Sequence, residues 1–241
     1  MDSLRNSLGQ PIGFPVADWK PPIRPQREII QGRTCRLEPL SVEQHSEALF
    51  AADAADESGK SWTYLGYGPF PNLVEYQHWM STVCAGDDPL FFAVVDRSTG
   101  RPVGVSSYLN IVPAMGSIEV GHIHYSPSLQ RSPAATEAMY LCMKYAFELG
   151  YRRYEWKCDA LNQPSRDAAQ RLGFSYEGIF RQATVYKGRN RNTAWYAAID
   201  REWPALQEAF STWLAPGNFD GDGRQRSRLS DLTAPILKQR G

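Results

Sequence analysis

Between residues 119 and 174 the chain contains two successive junctions at which a strand pattern runs into the start of a helix. The first junction follows Glu119–Tyr125 and opens a helix near Pro133. The second follows Tyr154–Asp159 and opens a helix near Pro164. A helix start carries backbone N–H groups without intrahelical partners and the positive end of the helix dipole. Two such starts, each beyond the end of a strand, predict a cleft that binds one phosphorylated ligand.

The composition is that of a soluble globular protein and argues against several functions. The 26 basic and 26 acidic side chains cancel, which disfavours a nucleic-acid-binding surface as the main function. No apolar run approaches the roughly 20 residues that a membrane helix requires, and the start of the chain does not match a signal peptide. The four cysteines are scattered without metal-ligand spacing. We predict a cytoplasmic protein, monomeric or homodimeric, with no metal, nucleic-acid or membrane partner.

The chain divides into three parts by composition. Residues 1–30 are rich in proline and predict an extended arm, residues 31–214 form one domain, and residues 215–241 form a polar tail. Within the domain, apolar periodicity and capping patterns predict a strand, two helices, three strands, a helix, a strand, a helix and at least two more strands. This order predicts an α/β fold with a mixed sheet.

These motifs, in this order, resemble the GNAT superfamily of N-acyltransferases, in particular its RimJ/RimL-type branch. The resemblance covers roughly residues 34 to 205. It implies a mostly antiparallel central sheet that is splayed in the middle, with helices on both faces, and acetyl-CoA as the co-substrate. The motifs that carry it are Glu119-Val120-Gly121, the segment 130–138, Asn162 with Ser165, Leu172-Gly173-Phe174, Glu177-Gly178 and the hairpin 188–196.

The resemblance implies that acetyl-CoA lies between the strands ending near Tyr125 and Cys158, with its pyrophosphate on the backbone of the first junction. Pro133 stands where the family usually has glycine, which removes the close backbone approach that glycine allows. Proline at the first helical position loses no helical hydrogen bond, and Ser132 would then be the N-cap. The alternative is that Ser132-Pro133 merely starts a helix. The candidate cofactor-binding residues are His124, Tyr125, Gln130, Arg131, Ser132, Ala134, Ala135, Thr136 and Asn162.

The second junction contributes two candidate residues. In the family, an asparagine at the position of Asn162 binds the pantetheine arm, and a serine at that of Ser165 resembles the acid that protonates the departing thiolate. Other members use a tyrosine where this chain has Ala169, which favours Ser165 as the acid. Alternatively, Asn162 and Ser165 only cap the helix.

At the position of the general base the sequence differs from the family pattern, because Thr184 stands where RimL-type enzymes carry a glutamate. The replacements available are Glu119, His122, His124 and Asp159, of which Glu119 and His122 are preferred as catalytic residues. Strict strand alternation puts Glu119 on one face and both histidines on the other, unless a bulge intervenes. The backbone from His122 to His124 would stabilise the oxyanion, as the family implies.

The irregular loop from residue 62 to residue 70 lies between the first two helices, where the family shapes the acceptor pocket. Its candidate substrate-binding residues are Trp62, Tyr64 and Tyr67, although these aromatic side chains could equally pack on the core. We predict an acetyl-CoA-dependent enzyme that acetylates a primary amine, of a small molecule or a protein N-terminus, by direct attack on the thioester. The alternatives are a CoA-binding protein with weak or no catalysis and an unrelated α/β phosphate-binding protein.

Overall fold

The computed structural model describes residues 4–241, and most of its strands belong to one sheet. The strands are β1 Leu4–Arg5, β2 Pro11–Ile12, β3 Ile30–Gln31, β4 Cys35–Pro39, β5 Leu90–Asp96, β6 Pro102–Val112, β7 Ser117–Tyr125, β8 Arg153–Asp159, β9 Ser175–Tyr186 and β10 Arg189–Ile199. The helices are α1 Val42–Asp53, α2 Leu73–Val83, α3 Pro133–Glu148, α4 Gln163–Arg171, α5 Trp203–Leu214 and α6 Leu229–Thr233.

Eight strands form a sheet with the order β3-β4-β5-β6-β7-β8-β10-β9. Every neighbouring pair is antiparallel except β7 and β8, which run parallel. Their pairing extends only from Ser117–Arg153 to Val120–Trp156, and beyond it the two strands separate. The mixed sheet with a split at its centre, predicted from the sequence, is therefore confirmed.

Helices cover both faces of the sheet and enclose two apolar cores. On one face, α1 and α2 pack over β4–β6 around side chains such as Leu49, Trp79 and Phe91. On the other face, α3, α4 and α5 pack over the whole sheet around side chains such as Val120 and Phe210. The split between β7 and β8 lies between these two packed faces.

The predicted arm and tail both contact the domain. Arg24 in the arm donates from its guanidinium to the carbonyl of Ile111 at 3.1 Å. In the tail, the carbonyl of Gln239 accepts a hydrogen bond from the backbone N–H of Tyr176, at the start of β9, at 3.0 Å. The boundaries at residues 31 and 214 stay predictions. None of the helices between residues 4 and 241 combines the length and apolar character required to cross a membrane.

Candidate functional site

A β-bulge interrupts β7 where it leaves β8. Gly121 pairs with Ser107 and His124 pairs with Val105, so two residues of β7 lie opposite the single residue Ser106 of β6. His122 adopts the left-handed backbone conformation, with φ of 51°, to accommodate the extra residue. The bulge lies in the segment of β7 that has no partner strand on the side of the split.

The bulge decides which side chains face the α1/α2 side. Glu119, His122 and His124 share that face, whereas strict alternation would have put the histidines opposite Glu119. Ile123 and Tyr125 face the α3 side and pack against its core. Strict alternation of side chains along the strand therefore does not apply here, because β7 has one residue more than β6 across the bulge.

Glu119 is buried and already paired. Its Oε2 accepts hydrogen bonds from Lys157 Nζ and Asn110 Nδ2, both at 2.7 Å, and Lys157 also forms an ion pair with Glu155 at 2.8 Å. Burial raises the pKa of Glu119, while the ammonium group of Lys157 opposes that rise. The carboxylate can accept a proton, but it must compete with a close cationic partner to do so.

His122 lies in an aromatic environment. Its Nδ1 is 3.0 Å from the hydroxyl of Tyr67, and its ring lies against Tyr67 and Phe91 with centroid distances of 5.7 and 5.0 Å. Burial, with a smaller contribution from the charge of Arg191, lowers the pKa of His122 to about 4. His122 is therefore a neutral imidazole at neutral pH and a weak base.

His124 is buried beneath the loop of residues 62–70, called the acceptor loop after its predicted role, rather than exposed to the first junction. Its ring stacks on Trp62 with a centroid distance of 3.6 Å. Nε2 is 2.9 Å from Ser61 Oγ, and Nδ1 is 3.3 Å from Asp53 Oδ1. Because the side chain points to the α1/α2 face, His124 can contribute to cofactor binding only through its backbone. Sequence reasoning did not identify Asp53 or Ser61.

The first junction is built as a capped helix start. Ser132 is the N-cap of α3, with its Oγ accepting from the N–H of Ala135 at 3.1 Å and donating to the carbonyl of Leu129 at 2.6 Å. Pro133 occupies the first helical position, as predicted. The N–H of Ala135, a candidate phosphate-binding group, already donates to the Ser132 side chain. The N–H of Ala134 comes before the residue that the cap binds.

Two further candidates of the first junction lie in the loop before α3. The side chain of Gln130 donates to the carbonyl of Tyr125 at 2.8 Å and so holds the loop against the end of β7. Arg131 is exposed and adopts a positive φ of 59°. Neither side chain is committed to the core, so both remain available to a ligand.

Arg171, at the end of α4, reaches the first turn of α3. It donates to Thr136 Oγ1 at 3.1 Å, and its guanidinium lies over the ring of Trp213. Burial lowers the pKa of Arg171. This cation beside a helix N-terminus adds to the positive potential of the first junction. Sequence reasoning missed this residue, because the contact joins two helices.

The second junction brings Asn162 and Ser165 together. Asn162 is the N-cap of α4, and its Oδ1 accepts from the N–H of Ser165 at 3.2 Å. The hydroxyl of Ser165 in turn accepts from the indole N–H of Trp156 on β8 at 3.0 Å. Capping is therefore real, and the Ser165 hydroxyl proton is used by neither of these bonds, although the Cys158 thiol lies within its reach.

The acceptor loop closes the α1/α2 side of the split. Trp62 is buried, Tyr67 packs between it and Trp79, and the hydroxyl of Tyr64 donates to the carbonyl of Leu161 at 3.2 Å. Trp62 belongs to the core, whereas Tyr64 reaches the second junction, and a role of these side chains in substrate binding stays a prediction.

The hairpin of β9 and β10 fastens this loop. Lys187 Nζ donates to the carbonyls of Trp62 and Gly68 at 2.8 and 2.7 Å, and Arg189 donates to that of Thr63 at 3.0 Å. These contacts join segments more than 100 residues apart in the sequence, so no local pattern could predict them.

The remaining base candidates are occupied or remote. Asp159, at the end of β8, accepts from the Tyr186 hydroxyl at 2.8 Å and from the Leu161 N–H at 2.9 Å. Thr184 is exposed on the edge strand β9. In the part of the chain that the structure describes, no three His, Cys, Asp or Glu side chains are grouped so that they could hold a metal ion.

Comparison with known proteins supports one family. The family model described as acetyltransferase (GNAT) domain matches residues 35–175. A GCN5-related N-acetyltransferase from Brucella melitensis is 47% identical, with a TM-score of 0.89, covering 91% of this chain and 100% of that chain. A probable acetyltransferase of the GNAT family from Chromobacterium violaceum ATCC 12472 is 39% identical, with a TM-score of 0.76, covering 81% of this chain and 98% of that chain.

More distant similarity concerns the fold alone. RimL, a ribosomal L7/L12 alpha-N-protein acetyltransferase, is 21% identical, with a TM-score of 0.59, covering 71% of this chain and 94% of that chain. The comparison with curated proteins found no match.

Proposed function

The chain belongs to the GNAT acetyltransferase family, and from that premise we propose that it transfers an acetyl group from acetyl-CoA to a primary amine by direct attack on the thioester. One observation carries the proposal: the split between β7 and β8 has two helix starts on one side and an aromatic loop on the other. An anionic cofactor and an uncharged amine can therefore meet across the unpaired half of β7.

The residues of the first junction fit the phosphates of CoA. The N-terminus of α3 supplies a helix start capped by Ser132, and Arg171 adds a half-buried cation one turn further along, at Thr136. Pro133 withdraws no helical hydrogen bond, so the glycine of the family pattern is not required for a helix start. Asn162, as the cap of α4, is the residue that would bind the pantetheine arm.

The chemistry then depends on a few groups of the chain. Acetyl-CoA supplies the thioester when bound. The backbone N–H groups of β7 beyond Gly121 have no partner strand on the side of the split, so they can donate to an oxyanion. Ser165 can donate its hydroxyl proton to the thiolate that leaves, whose pKa of about 8.5 demands only modest help.

The proposal also specifies the chemical class of the acceptor amine. The aromatic side chains of the loop, with neutral His122 beside Tyr67, favour an amine on an apolar or aromatic carrier. A protein N-terminus is the second class to test, because RimL acts on one and shares this fold. Membership of the RimJ/RimL-type branch, a cytoplasmic location and a monomeric or homodimeric state belong to the same proposal.

Thiol release from acetyl-CoA tests the activity directly. The purified chain is incubated with acetyl-CoA and a panel of aryl-alkyl amines, polyamines and N-terminal peptides, and free CoA is followed with a thiol reagent. Release that depends on one amine, with the acetylated amine seen by mass spectrometry, supports the proposal. Calorimetric binding of CoA without turnover on any amine would favour a CoA-binding protein, the alternative that the proline at position 133 and the threonine at position 184 favour.

A further inference from the structure

Three polar side chains follow one another from the acceptor loop into the core: Ser61 and His124 are hydrogen-bonded, and His124 and Asp53 are close enough to form an ion pair. Ser61 Oγ lies 2.9 Å from His124 Nε2, and His124 Nδ1 lies 3.3 Å from Asp53 Oδ1. The order is hydroxyl, imidazole, carboxylate. A base oriented by a third group in this way is the usual arrangement for moving a proton to or from a hydroxyl.

The position of Asp53 is costly for a carboxylate. Its side chain is 7% exposed, and neither carboxylate oxygen forms a well-aligned hydrogen bond within residues 4–241. Asp53 is also the last residue of α1, where the negative end of the helix dipole disfavours an anion. Within residues 4–241, the ion pair that Asp53 can form is with the imidazolium of His124, and the hydroxyl of Tyr76 lies beside the same carboxylate. A buried carboxylate of this kind calls for a function that uses its charge.

Burial shows which of the three side chains a substrate can reach. His124 is 3% exposed and cannot itself contact an amine, whereas Ser61 is only partly buried and adjoins Trp62 in the acceptor loop. The stacked Trp62 ring also favours a cationic partner on its face. Ser61 is therefore the member of the chain that an acceptor amine can touch.

We propose that Ser61, His124 and Asp53 form a proton relay that accepts the proton of the acceptor amine, which supplies the general base of the proposed acetyl transfer. The other base candidates are each less suited: Glu119 is held by Lys157, Asp159 by Tyr186, and His122 is a weak base. The inference rests on the proposed function.

The proton transfer balances as follows. The neutral amine forms a bond to the thioester carbon, and the carbon–sulfur bond breaks. Ser61 Oγ takes the proton from the nitrogen as it passes its own proton to His124 Nε2, so the serine is unchanged. The imidazolium is stabilised by Asp53, and the thiolate takes its proton separately. The relay resets when the imidazolium returns its proton to water through Ser61.

Variants of the relay test the proposal. We expect Ser61→Ala to lower kcat about 100-fold, the lower end of general base catalysis, with little change in CoA affinity. Ser61→Thr retains the hydroxyl and should recover most of the rate. Ser58→Ala is the matched control, because Ser58 is an exposed serine three residues before Ser61, in the segment after α1, and it also contacts Asp56. A kcat of Ser61→Ala equal to that of the control would overturn the proposal, as would an acetyl group trapped on Ser61.

Asp53 acts as a positioning residue and requires a different readout. Asp53→Asn removes the carboxylate charge beside the imidazole, so kcat should fall while the KM of the amine and the affinity for CoA stay unchanged. A merely structural role would lower the melting temperature and raise the KM of the amine together with the fall in kcat. The other ionisable groups around the three relay residues are Tyr76 next to Asp53, Asp56 and Lys187 next to the acceptor loop, and His122 on β7 with His124.

A measurement without turnover separates this inference from the proposed function. Nitrogen-15 NMR of the free protein should show His124 protonated at Nδ1, with that signal altered in Asp53→Asn. A proton on Nε2 instead would overturn the relay even if amines are acetylated. If the protein acetylates no amine, the proposed function is contradicted. The tautomer of His124 would still show whether Ser61, His124 and Asp53 are arranged as the relay requires.

Discussion

The indole N–H of Trp156 donates to the hydroxyl of Ser165 across 3.0 Å, which ties the core of β8 to the first turn of α4. Since this bond uses a lone pair of the Ser165 oxygen, the hydroxyl proton is directed away from the indole, on the side where the Cys158 thiol also lies. A single bond thus orients the group proposed to protonate the thiolate.

Ser165→Ala should reduce kcat more than CoA affinity. We expect a loss of about 10-fold in kcat, less than for a typical general acid because a thiolate is a good leaving group. Steady-state kinetics and calorimetric CoA binding measure the two effects separately. Ser165→Thr keeps the hydroxyl and serves as the control. Equal losses in kcat and affinity would mean that Ser165 only shapes the helix start.

Asn162→Ala should weaken both the fold and the binding of CoA. Loss of an N-cap costs about 1 kcal/mol of stability. Asn72→Ala provides the matched control, because Asn72 caps α2 in the same way, with its Oδ1 accepting from the N–H of Glu75 at 2.9 Å. Both variants should lose similar stability in urea titrations, but only Asn162→Ala should raise the Kd of CoA. Unchanged CoA binding would remove Asn162 from the site.

Gly68→Ala should disturb the acceptor loop selectively. Gly68 has a φ of 63°, and a Cβ there would lie 2.4 Å from the ring of Trp62. The ring must move, which also disturbs its stack on His124. We expect a several-fold higher KM for the amine and a loss of about 1–3 kcal/mol of stability. Gly66→Ala, where a Cβ meets nothing within 4 Å, should leave both values unchanged. An unaltered KM in Gly68→Ala would argue against this loop as the acceptor pocket.

Glu137 should make stability depend on acid pH. Its buried carboxylate, on α3, accepts from the backbone N–H groups of Arg33 and Cys35 at 2.8 and 3.0 Å, and also from Thr34. Burial alone would raise the pKa of Glu137, but these donors outweigh it and the pKa lies below its ordinary value. Because the folded-state pKa is lowered, the stabilisation is present above the unfolded pKa of about 4.3 and is lost as pH falls through the folded value.

Glu137→Gln tests this directly. At pH 7 we expect a loss of about 2 kcal/mol, since donors to a buried carboxylate lose their charged partner. The difference from the unaltered protein should shrink as the pH falls below the unfolded pKa. Urea titrations at several pH values measure it. A pH-independent difference would mean that shape, not charge, makes Glu137 stabilising.

The local features of the site were predictable from the sequence, and the tertiary contacts were not. Ser132 and Asn162 follow from capping, which depends on neighbours within three residues. The bulge depends on the register of β6, which lies outside the pattern of β7 itself. Asp53 and Ser61 meet His124 across more than 60 residues of sequence, so neither could be assigned to it. A carboxylate in the last turn of α1 was the one visible signal, because the helix dipole disfavours it.

The bulge at His122 has a consequence for changes in the length of β7. A strand that gains one residue normally slips, and every later side chain changes face. Here the kink absorbs the extra residue, so His124 pairs with Val105, the partner that Ile123 would have in a flat strand. Loss of the one extra residue would therefore restore a flat strand while His124 keeps Val105, and Tyr125 keeps Gly104, as partners on β6. The bulge thus confines a change in the length of β7 to position 122.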